Sequence, residues 1–77
     1  MAENLGEQIR DFRAALGWSQ FHLAEKAGIS QSVISDIESG RRNNPSIKTL
    51  WKIAKALEVP LSELLNIQSL NSLEDKE

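Results

Sequence analysis

"SQFHLAEKAGISQSVISDIESG", residues 19–40, decides the fold. Two short runs flank Gly28: Leu23, Ala24 and Ala27 share one side of the first, and Ile34 and Ile37 share one side of the second, with Ile29 just past the glycine. Spacings of three and four are those of helices that bury a single stripe. Ser19 and Ser30 stand where a side chain accepts from the free N–H groups of a first helical turn, and Gly28 and Gly40 stand where a chain must leave a helix. A tight turn between helices of this length sets the second across the first at a steep angle, so that it projects from the body. The small Ala24 lets the pair approach closely. Packing does not explain Ser30-Gln31-Ser32, a polar run that opens the projecting helix and buries nothing.

Upstream, Leu5, Ile9, Phe12 and Leu16 form a stripe on a first helix; Asn4 with Glu7 offers a capping box and Gly17 a stop. Downstream, the turn-forming "RRNNP" leads to Ser46, a cap for a fourth helix with Ile47, Leu50, Ile53, Ala54 and Leu57 on its buried side. Pro60 opens a short fifth helix through Leu61, Leu64 and Leu65. No alternating run of β-branched residues is long enough for a strand. The expected fold is all-α, a compact five-helix bundle with a helix-turn-helix formed by helices 2 and 3. One domain is expected over residues 1–66. The tail, 67–77, keeps Ile67, Leu70 and Leu73 at intervals of three, which suits either a further helical turn against a partner subunit or a frayed end.

Seventy-seven residues supply one thin core, so helix packing, helped by a partner subunit, must carry the stability. With no cysteine and a single histidine, His22, the chain offers no disulfide and no metal site, and no cofactor is expected. No apolar run is long enough to cross a membrane and no leader is visible, so a cytoplasmic protein is expected. A net charge of −2 conceals an uneven distribution. Residues 41–57 carry Arg41, Arg42, Lys48, Lys52 and Lys55 without an acid, whereas Glu74, Asp75 and Glu77 gather near the end of the tail against Lys76. No nucleophile stands beside a base, and there is no glycine-rich phosphate loop or paired carboxylate, so an enzyme is not expected.

The strings "IRDFRAALGWSQFHLAEKAGISQSVISDIESG" and "NPSIKTLWKIAKALEVPLSELL" resemble the phage repressor/Cro type of helix-turn-helix domain, the XRE family, over residues 5–65. The resemblance implies a transcriptional regulator, with a repressor expected, that binds a pseudopalindromic operator in double-stranded DNA as a homodimer. Its third helix, about residues 30–39, would then enter the major groove. Gln31, Ser32, Ser35 and Asp36 become candidates for base contact. Gln31 leads, because its amide can pair bidentately with the N6 and N7 edge of adenine. Asp36 is expected chiefly to pair with Arg42, the alternative being acceptance from a cytosine N4 amino group. Candidate phosphate contacts are Gln20, Ser30, Arg10, Arg41, Arg42, Asn43, Asn44 and Lys48. Gln20 resembles a family glutamine that touches phosphate and braces the first glutamine of the recognition helix. Arg13 and Glu38 resemble a family pair that ties helix 1 to the end of helix 3.

Other side chains have plainer expected roles. Phe21 is expected to fold back on helix 1 or Trp18, His22 to be a bystander, and Trp18 and Trp51 to pack in or beside the core. Trp51, Leu61, Leu65, Ile67 and Leu70 are the dimer-interface candidates. A second reading places the scaffold in protein recognition, as an antitoxin-like or adaptor module, on the strength of Asp36, the acidic tail and the modest charge. It differs in predicting no retardation of operator-like DNA.

Overall fold

A computed structural model describes residues 4–42 and 44–65, in which every regular element is helical. The helices are α1 (Leu5–Ala15), α2 (Gln20–Ala27), α3 (Gln31–Ser39), α4 (Ile47–Leu57) and a short α5 over residues 61–65. Asn43, Ile67 and Leu70 lie outside the described residues, as does the rest of the tail.

Each long helix starts on the cap its sequence offers. Asn4 Oδ1 accepts from Glu7 N–H at 2.9 Å, Ser19 Oγ from His22 N–H at 3.0 Å, Ser30 Oγ from Val33 N–H at 3.3 Å and Ser46 Oγ from Thr49 N–H at 3.1 Å. Gly17, past the end of α1, takes φ +73°, with Gly17 N–H on the Ala14 carbonyl and Trp18 N–H on the Arg13 carbonyl, the paired bonds of a Schellman motif. Gly28 closes α2 at φ +72°, and its N–H and that of Ile29 both reach the Ala24 carbonyl. The turn between α2 and α3 thus spans only Gly28, Ile29 and Ser30.

The core joins Leu5, Ile9, Leu23, Ala24, Ile34, Ile37, Leu50, Ile53, Ala54, Leu57 and Leu64, drawn from all five helices. α2 packs against both α3 and α4, and α1 packs against α3. Gln8 Nε2 donates to the Glu63 carbonyl at 3.1 Å, which ties α5 to α1. Gly6 sets the spacing of α1 and α3: a Cβ there would overlap the Ile37 carbonyl oxygen and stand 3.1 Å from that of Glu38.

Four expected packing roles are corrected. Leu16 is 48% exposed, because the helix ends at Ala15 and Leu16 turns away as the C-cap. Ile47 is 60% exposed, since the first residue of α4 precedes the point where that helix meets the core. Trp51 is 49% exposed on the same side of α4 one turn later, and Lys55 Nζ covers its ring at 5.0 Å. Phe21 is 56% exposed; the ring that stacks on Trp18 is His22, at 4.6 Å and 7° between planes.

Candidate nucleic-acid interface

The N-terminal half of α3 is held out by its cap and by the short turn before it, while Ile34 and Ile37 pin its other side into the core. Gln31 and Ser32 are therefore exposed at the tip, with Ser35 and Asp36 half-buried one turn further on. These four residues line one shallow cleft together with Gln20, from the first turn of α2, and Arg41, from the segment after α3. Amide, hydroxyl, carboxylate and guanidinium groups thus converge on one patch. Such a set can donate and accept along a base edge and offers no nucleophile activated by a base.

Behind the cleft, a charged cluster fixes its orientation. Arg13 Nε meets Glu38 Oε2 at 2.7 Å and Arg13 Nη2 meets Glu38 Oε1 at 3.0 Å, a two-pronged pair in which the Glu38 side chain is 4% exposed. Arg13 Nη1 also donates to the Trp18 carbonyl at 2.7 Å. One guanidinium therefore clamps α1, the start of the α2 approach and the end of α3. Its pKa is raised above the ordinary arginine value, first by the Glu38 hydrogen bond and then by that carboxylate's charge, against a partial loss of water. Gln20 Nε2 donates to Glu38 Oε1 at 3.0 Å. This corrects the expected brace: the Gln20 side chain is held by Glu38 and not by Gln31. The reason is local, since the carboxylate Oε1 is a stronger acceptor than a neutral amide and lies within reach of α2.

Asp36 also has a different partner from the one expected. Its Oδ1 accepts from Arg41 Nε at 3.1 Å, while Arg42 reaches Asp36 only through its backbone N–H on the Asp36 carbonyl, at 2.9 Å. Gly40, at φ +89°, turns the chain so that the Arg41 side chain comes back along α3 to Asp36. The Arg41 side chain remains 72% exposed. Ser39 closes the same turn by donating to the Asp36 carbonyl at 3.2 Å and accepting from Arg41 N–H at 3.4 Å. Ser30, Arg10, Arg42, Asn44 and Lys48 are not buried but stand outside the cleft lining. Gly6 is the position that sequence reasoning missed. A glycine in the first turn of a helix with a good cap costs helix stability, and that cost was the available signal.

This arrangement matches that of known proteins. Residues 9–64 match the family described as helix-turn-helix, HTH_3. The HTH-type transcriptional regulator SinR of Bacillus licheniformis is 42% identical over 62 residues, covering 80% of this chain and 56% of SinR. The immunity repressor protein of Bacillus phage phi105 is 37% identical over 73 residues, covering 95% of this chain and 50% of the repressor. The crystal structure of SinR, the master regulator for biofilm formation, in complex with DNA has a TM-score of 0.76 at 41% identity, covering 79% of this chain and 97% of that one. The chain spans about half the length of the curated relatives it matches. With the turn, the capped projecting helix and the clamp behind it all in place, the chain belongs to the HTH_3, or XRE, family of helix-turn-helix domains.

Proposed function

We propose that this domain binds double-stranded DNA with α3 in the major groove and acts as a transcriptional repressor, as a homodimer on a pseudopalindromic operator. The observation that carries the reading is the cleft of Gln20, Gln31, Ser32, Ser35, Asp36 and Arg41, presented on a helix that the Arg13–Glu38 clamp holds fixed. The SinR relative, solved in complex with DNA, and the phage immunity repressor support the same class of ligand.

Gln31 is the first base reader, with Ser32 and Ser35 beside it. Arg10, Arg41, Arg42, Lys48 and the polar Gln20, Ser30 and Asn44 supply backbone contacts that position the helix. Asp36 acts through Arg41, whose guanidinium it steers along α3. Dimerisation uses the half-exposed Leu61 and Leu65 on α5. Two-fold symmetry then places half-site centres about ten base pairs apart.

Selection of bound sequences from random duplex DNA, run in parallel on the native and Gln31→Ala proteins, tests the reading. The native protein should enrich a two-fold symmetric site, and the variant should lose about 1–3 kcal/mol at one position per half-site. Equal weakening on all sequences would remove Gln31 as a base reader. No enrichment by folded protein would favour the alternative of a protein-recognition module.

A further inference from the structure

A second concave surface lies between the end of α2 and the outer side of α4. Trp18, Ala27, Trp51 and Ala56 give it an apolar floor, Lys26, Lys52 and Lys55 edge it, and Glu58 is its one acid. Its volume is about 460 Å³, and it shares no lining residue with the Gln31 cleft. Exposed indole beside three lysines calls for an occupant with apolar side chains and negative charge.

We propose that this groove seats the acidic C-terminal segment of the same chain. That segment carries Ile67, Leu70 and Leu73 at intervals of three, followed by Glu74, Asp75, Lys76 and Glu77, three acids against one lysine. It therefore has apolar anchors for the floor and carboxylates for the lysine rim, in that order along the chain. It lies outside the described residues. Glu58 borders the groove and precedes Leu65 by seven residues, a contour of at most about 25 Å. Residues 66–73 can span about 28 Å when extended, which brings Leu73 and Glu74 to the groove from any distance that contour allows, whereas Ile67, two residues past Leu65, reaches the floor only where Leu65 lies within about 7 Å of it. Lys26 and Lys55 stand in the last turns of α2 and α4, and Lys55 Nζ lies over the Trp51 ring at 5.0 Å, so a carboxylate at the rim would meet an ammonium group already on the apolar floor.

The chain has no cysteine, so Ser72→Cys gives a single attachment point for a nitroxide label on the full-length protein. With isotope-labelled protein, the Trp18 and Trp51 indole N–H signals and the Lys26, Lys55 and Ala56 amides should lose most of their intensity relative to the reduced label, while α3 signals keep theirs. The loss should fall at least twofold in Lys52→Gln/Lys55→Gln, and likewise in native-groove protein at about 0.5 M salt, where exposed charges are screened. Retained spectral dispersion establishes that the double variant is folded. Three results would overturn the proposal: no selective loss at the groove, a loss indifferent to both the lysine changes and salt, or an equal loss when label and isotope reside on different copies. The last would assign the groove to the tail of a second molecule.

Discussion

At Glu38 a single side chain decides both stability and geometry. It is the one buried charged residue of the described core, and it accepts from Arg13 Nε, Arg13 Nη2 and Gln20 Nε2. Glu38→Ala would leave a largely buried guanidinium without its carboxylate. Removing one partner of a buried pair costs about 3–5 kcal/mol, close to the entire stability of a domain this small. Chemical denaturation should therefore show Glu38→Ala mostly unfolded, while Arg13→Met/Glu38→Leu keeps more than half of the native stability. If the double replacement is as damaging as the single one, the pair is a net stabiliser and the desolvation argument fails. Alkali should not dissociate the pair first: the raised Arg13 pKa keeps its contribution intact below the ordinary arginine value and surrenders it only above that range. Asp36 is a different case, since its partner Arg41 is largely exposed and the pair adds little to folding. Asp36→Asn removes one negative charge from the cleft, so DNA affinity should rise several-fold on all sequences, as measured by titration at fixed salt. A loss confined to one base position would instead make Asp36 a reader of cytosine.

At the scale of the element, the relation between α1 and α3 determines where the recognition face points. Gly6 allows the two helices to meet backbone to backbone: a methyl group there would stand 3.1 and 3.2 Å from the Glu38 carbonyl oxygen and Cα, with no room at the Ile37 carbonyl. Gly6→Ala improves helix propensity by about 1 kcal/mol, yet the obstruction is rigid backbone, and overpacking of that kind costs about 1–3 kcal/mol. The expected outcome is a net loss, with a Tm lower by several degrees and weaker operator binding in proportion to the shift of α3. A higher Tm would show that the helices part without cost. The cost of a glycine so early in α1 marks the position in the sequence, but its partner was illegible because it lies on a segment far along the chain. Caps and stripes, by contrast, are local: Asn4, Ser19, Ser30 and Ser46 each declared a helix start, and Gly17, Gly28 and Gly40 each declared an end. Periodicity misled only where an element stops or starts, at Leu16 and Ile47, because a stripe says which side faces inward and not where the neighbouring helix begins. The Asp36 pairing failed for a related reason. Choosing Arg41 over Arg42 requires the direction of the chain after Gly40, which spacing does not encode.

For the whole molecule, electrostatics must reconcile a net charge of −2 with the polyanionic ligand proposed for it. Distribution resolves the conflict, since Arg10, Arg41, Arg42 and Lys48 are exposed and all four are proposed to meet phosphate, whereas Lys52 and Lys55 line the separate groove with Trp51. Four phosphates neutralised per protomer give a dimer a slope of log K against log salt of roughly −6 to −8, through release of condensed counterions. A monomer on a half-site would give about half that, so the slope also reports the assembly. Each true phosphate contact should account for about one unit per protomer. Arg42→Gln or Lys48→Gln should then lower the magnitude by about two for the dimer and weaken all sequences alike. Lys52→Gln/Lys55→Gln should leave the slope within about one unit of its native value, because both lysines line the groove with Trp51 and neither lines the Gln31 cleft. An equal drop in both sets of variants would merge the two surfaces into one continuous DNA-binding face. A drop confined to Arg42 and Lys48 would leave the groove free to hold another ligand while the operator is occupied.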